Sequence, residues 1–288
     1  MRATGVLLVG GLACLVGATL VPGGPSAAPG DPAAGLGGLR TAVVGGMFLR
    51  GEALRREGRL DEAVALWQRM LALDPDAVSA RDHLADVLAH DLRAAAPDDE
   101  VRVRRWRDAE ALVDDGLARD PDAVRLLWRK ADLLLVVPAG DAVVATALAA
   151  AGRDREREAI DALTRAARLA GDVPRLGRIH LELLVRTLPR LAAQRLAARD
   201  ASVDGLLRAG AEVLKARRDE LDELVLDPEP PYVPASVVLQ GGLALVAAVR
   251  AAVEARPPRL DEARRLLDGY VSTLGDDRVA EALRPLLR

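Results

Sequence analysis

The chain has 288 residues, 50% hydrophobic and 29% charged, with 40 basic against 43 acidic side chains and a net charge of −3. That apolar content and small charge exclude full-length disorder, and the balance argues against a nucleic-acid binder with a broad basic face. Aromatic residues are only 2% (Phe48, Trp67, Trp106, Trp128, Tyr232, Tyr270). Leu, Ala and Val must therefore build the core, which favours helices over a β-sandwich or barrel.

Met1 and Arg2 precede an uncharged apolar run, Gly5 to Val21, and then a Pro/Gly/Ala-rich stretch to residue 38. A short positive start, a greasy stretch and small residues form an export-signal pattern. The run suits either a cleaved signal or a retained anchor, and the positive-inside preference keeps Arg2 cytoplasmic while the remainder crosses. The expected division is 1–21 signal or anchor, 22–38 linker, 39–173 repeats with insertions and 174–288 degenerate helical repeats. The expected location is periplasmic, or anchored to the cytoplasmic membrane facing outward. Cys14 is the only cysteine, so no intramolecular disulfide exists; Gly11 and Leu12 before it do not fit a lipidation motif. Basic residues are almost all Arg, Lys occurs only at 130 and 215, and Asn is absent. We read this usage as that of a GC-rich, bacterial genome.

Self-similarity is the strongest signal. DPDAV occurs at Asp74–Val78 and at Asp120–Val124, and RLDEA at Arg59–Ala63 and at Arg259–Ala263. Each reads as a turn followed by a helix start. Pro cannot continue a helix, and the Asp after it (Asp76, Asp122) is expected to cap the next one. In the first unit, Val44, Met47, Phe48, Gly51 and Leu54 share a helical face, and Gly58 ends the helix. A second helix, expected to start at Asp61, carries Leu60, Ala63, Val64, Trp67, Met70 and Leu71 on one face. Small Gly51 and Ala63 should let the two helices approach closely.

Gly51, Leu54, Gly58, Ala63, Trp67 and Pro75 fall at the spacing of the tetratricopeptide repeat family, which the chain resembles. A second unit has Leu84, Ala85 and Leu88, then Trp106, Ala109, Val113 and Gly116, closed by Pro121. Pro75 and Pro121 lie 46 residues apart, against roughly 34 for that family. The excess is expected as a long, partly charged loop around residues 94–104. A third unit has Leu127, Ala131 and Leu134, an insertion from about Val136 to Arg153, then Ala159, Leu163 and Ala166. The resemblance is strong over 44–135, fair to 170 and again at 240–275, and weak between. The apolar run Ala235 to Val253 contains Gln240 and Arg250 and is expected to be a buried helix rather than a membrane span. The fold class expected is all-α: a right-handed helix-turn-helix solenoid with insertions, preceded by the signal or anchor helix.

No Gly-rich turn leads into Lys-Ser or Lys-Thr, no strand precedes Gly35, Gly37 and Gly38, and no Gly-x-Ser-x-Gly elbow occurs. No cofactor is implied. His83, Asp86 and His90 lie near one helical face, but no second ligand cluster completes a metal site, so they read as polar residues of a repeat. The acidic run Asp98, Asp99 and Glu100 reads as a solvated insertion, and Trp106 as a packing residue of a second helix.

The resemblance implies a protein-binding scaffold whose first helices line a concave groove. That face would present Phe48, Glu52, Arg55 and Arg56 in the first unit. Asp82, Asp86 and His90 follow in the second, and Arg125, Trp128 and Asp132 in the third. Phe48 and Trp128 would be exposed anchors with Asp82 between them, suited to a peptide or partner helix with spaced apolar residues and a basic one. The family's clamp for a terminal carboxylate needs Lys and Asn where this chain has Phe48 and Glu52, so that ligand is not implied. The competing readings are an accessory or enzymatic domain of an envelope complex and a membrane-tethered structural spacer. No nucleic-acid partner is expected, and the membrane is reached only through the N-terminal segment.

Overall fold

A computed structural model describes residues 32–169, 178–226, 233–274 and 277–287. The signal or anchor segment 1–21 lies outside the described residues. The described residues are helical except for turns and one isolated bridge between Val225 and Pro234.

Two helices form the first unit: α1 (Pro32–Arg56) and α2 (Leu60–Leu73). α1 starts at Pro32, inside the stretch that composition assigns to a linker; Pro is well placed at a helix start, where its missing N–H costs nothing. Gly58, at φ +75°, closes α1: its N–H bonds to Arg55 and that of Arg59 to Leu54, satisfying carbonyls the helix leaves open. Gly51 permits the close crossing of the two helices. A Cβ there would lie 2.5 Å from Trp67 Nε1, and Trp67 is fully buried.

The second unit pairs α3 (Val78–Asp86), continued by a π-helical turn over Val87–Leu92, with α4 (Asp99–Arg119). Two expectations change here. Ala77 and Ala123 occupy the N-caps after the DPDAV turns, with no side-chain cap bond; instead Asp120 Oδ1 accepts from the N–H of Asp122, so the Asp before Pro braces the turn. The expected long loop is confined to residues 95–98, because the surplus residues lengthen both helices and Asp98 caps α4 through the N–H of Val101.

The third unit joins α5 (Val124–Ala131), continued by a π turn (Asp132–Val136) and a short helix (Val137–Gly140), to α7 (Arg155–Leu169). The insertion between them folds as α6 (Ala142–Ala150). Asp141 caps α6 and is held from outside by Arg93, while α6 packs on α4. Each π turn has one residue too many for the α ladder. In the third unit the Leu133 carbonyl meets the buried indole N–H of Trp106 at 3.0 Å.

Further pairs follow: α8 (Arg178–Ala197) with α9 (Val203–Ala216), then short α10 (Arg218–Glu223), then α11 (Ala235–Glu254) with α12 (Leu260–Leu274). α11 is long and apolar enough to cross a membrane, but Leu239, Leu243, Val246 and Val249 are buried against its neighbours. The final α13 (Asp277–Leu283), with a tight turn over Arg284–Leu287, returns to pack on α8. From the second unit on, each first helix touches its own partner and the preceding unit, so one apolar core runs along the pairs.

Candidate partner-binding face

The first helices of units one to three bring most of the expected residues together, joined by ion pairs between units. Arg55 Nη2 lies 2.7 Å from Asp86 and its Nε donates to Asp91 at 2.9 Å. Arg129 Nε donates to Asp82 at 2.9 Å, and its Nη1 donates to Asp86 at 2.5 Å and to Asp132 at 3.1 Å. His90 Nε2 sits 2.8 Å from Asp132 and 3.9 Å from Asp86. His90 lies in the first π turn and Asp132 opens the second, so the two irregular turns place this contact.

The hydrogen bond to Asp132 raises the His90 pKa against the opposing effect of burial, with the charges of Asp132 and Asp86 adding to it. Burial works against the Asp132 carboxylate, yet the bond from His90 and then the charges of His90 and Arg129 hold it below its usual range. Among the described residues, the four carboxylates of this cluster, Asp82, Asp86, Asp91 and Asp132, pair with two guanidinium groups, Arg55 and Arg129, so it stays acidic whether or not His90 is protonated.

The aromatic positions divide. Phe48 is half-buried, edge-on to His83 at 4.8 Å between ring centres, and His83 Nδ1 lies 2.9 Å from Glu52. Trp128 is 7% exposed and stacks flat on His180 at 5.1 Å. The expected exposure of Trp128 is therefore not found: α8 follows the third unit and lays His180 over the indole. Burial pushes the His180 pKa down. Arg56 is exposed and donates to the Glu52 carbonyl, and Arg125 reaches Ser79 Oγ at 3.4 Å. His83 and His90 turn to different carboxylates, Glu52 and Asp132, rather than converging on one point.

Sequence reasoning missed Arg129, which ties three carboxylates together, and Asp91. The signal was the spacing of Arg129 three residues before Asp132. It also missed buried Arg81, which donates to the Pro75 carbonyl at 2.7 Å and pairs with Asp115 at 2.6 Å. A third omission is Lys130, 3.0 Å from buried Glu110 and 2.7 Å from Asp114.

Residues 44–77 match the family model described as Tetratricopeptide repeat. No curated protein matches the chain. The matched residues run from the second half of α1 through α2 to the turn before α3, so the first unit is similar to a tetratricopeptide repeat, a repeat that generally mediates protein–protein interaction.

Proposed function

We propose that this chain is a non-enzymatic scaffold of the bacterial cell envelope that holds a peptide or partner helix against the first-helix face of units one to three. The observation that carries the reading is half-buried Phe48, edge-on to His83, together with the partly exposed acidic cluster carried by the same series of first helices. An apolar anchor would seat against Phe48, and a basic side chain would meet the carboxylates that Arg55 and Arg129 leave incompletely neutralised. Glu52, Arg56 and Arg125 at the edges would set orientation more than affinity. The N-terminal run Gly5 to Val21 supports export, with the repeats outside the cytoplasmic membrane.

The test is affinity capture from the organism's own envelope with wild type, Phe48→Ala and Asp91→Asn. Loss of the same partner from both variants, with unchanged helical signal and melting temperature, is the expected result. Equal capture by all three overturns the assignment of this face. A carboxy-terminal reporter active only in the cytoplasm overturns the orientation.

A further inference from the structure

Three left-handed backbone positions occur among the described residues: Gly58, Gly152 and Arg199. Gly58 and Arg199 each close a helix with the same pair of bonds. For Arg199 these run from its N–H to Leu196 and from the N–H of Asp200 to Arg195, at 3.0 and 2.9 Å. Glycine suits such a position because an L side chain is strained there. Arg199 has φ +56° and keeps its long side chain nonetheless.

That side chain stands at the rim of a cleft of about 390 Å³ between the C-terminal ends of α8 and α11, the start of α9 and the last turn of the chain. The size falls at the lower end of the range for small-molecule sites. Leu196, Val203, Val253 and Leu286 form its apolar wall. The carboxylates around it are already taken: Asp200 pairs with Arg195 at 3.1 Å, and Arg250 holds Asp204 and Glu254. Arg199 is exposed, and its side chain makes no hydrogen bond or ion pair with any described residue. A guanidinium left over beside an apolar cleft is complementary to one anionic group carried on an apolar tail.

We propose that this cleft binds a small alkyl carboxylate, with the carboxylate on Arg199 and the hydrocarbon tail against Leu196, Val203, Val253 and Leu286. A peptide terminus is less well matched, because helices form the walls and their main-chain groups are largely bonded internally. An alkyl tail asks for no such partners. The site is separate from the first-helix face of units one to three, so it stands or falls apart from the protein-binding reading.

The test titrates octanoate, octanol and a leucine-ending peptide with a free carboxyl terminus into the full chain by calorimetry, for wild type and Arg199→Gly. The expected result is saturable octanoate binding by wild type, weakened at least roughly tenfold with octanol. Arg199→Gly should lose octanoate to a similar degree while melting at a higher temperature, since glycine relieves the left-handed residue. That split separates a lost contact from a damaged fold. Failure of octanoate to bind, equal binding of octanol, undiminished binding by Arg199→Gly, or binding of the peptide alone would each overturn the assignment.

Discussion

At the scale of single residues, the most decisive positions are those where a neighbour leaves no room. Gly51 has the indole of Trp67 against it, while Gly45 on the same helix has nothing within reach of a Cβ. Gly51→Ala should destabilise the fold by about 1–3 kcal/mol through overpacking. Gly45→Ala should stabilise it by roughly 0.5–1 kcal/mol, because alanine loses less backbone entropy in a helix. Urea unfolding of the two variants checks both signs. The histidines make an opposed pair. The His90 pKa is raised in the fold, so its contribution is full below the unfolded value of about 6.5 and is lost as pH rises through the raised value. The His180 pKa is depressed, so its contribution is full above about 6.5 and is lost as pH falls towards the depressed value. Unfolding curves from pH 5 to 8 should show His90→Gln losing stability relative to wild type mainly on the acid side. His180→Phe, which keeps a ring on Trp128, should lose the acid-side decline. Parallel profiles for all three proteins would refute both assignments.

At the scale of elements, buried charge ties helices together where apolar contact alone would let them slide. Lys130 on α5 meets Glu110 and Asp114 on α4, and Arg153 reaches Glu110 at 2.7 Å from the turn before α7. Removing one member leaves its partner buried without full compensation. Lys130→Met should therefore cost about 3 kcal/mol, with Arg153 limiting the loss, and the double variant Lys130→Met, Glu110→Leu should recover much of it. A double-mutant cycle by chemical unfolding measures this; additive losses would mean that the pair is not coupled. The helix pairs themselves were legible in sequence, because Ala63, Trp67, Met70 and the corresponding Ala109 and Val113 repeat at helical spacing. The π turns were not legible. Their residues continue an apolar helical pattern, and the extra residue finds its place only against the next unit, where Trp106 meets the Leu133 carbonyl.

At the scale of the whole molecule, stability passes from pair to pair, and the ends differ. Among the described residues the first pair packs on the second unit, whereas α8 contacts α7, α9, α11 and α13, so hydrogen exchange should be faster in α1 and α2 than in α8. The last helix is a brace rather than a tail: Val279, Ala280 and Leu283 are buried and α13 lies on α8. Truncation after Leu274 should expose that surface and lower the melting temperature by at least roughly 4 °C, taking a loss of some 2 kcal/mol or more for the three side chains. An unchanged melting temperature would show that α13 does not brace the fold.

By itself the sequence determined the helical class, the first unit with its glycine stop and its tryptophan, and the repeated turns. These rest on local chemistry: periodicity, proline and glycine act within a few residues of themselves. Tertiary structure decided the rest. It buried Trp128 under His180 and left Phe48 half-open, although the two occupy matching repeat positions, because only the third unit has α8 beside it. It gathered Asp82, Asp86, Asp91 and Asp132 around two arginines from different units, and it left the Arg199 side chain without a partner among the described residues, at the mouth of a cleft. Charge pairing and exposure depend on which distant segments become neighbours, and no repeat spacing encodes that.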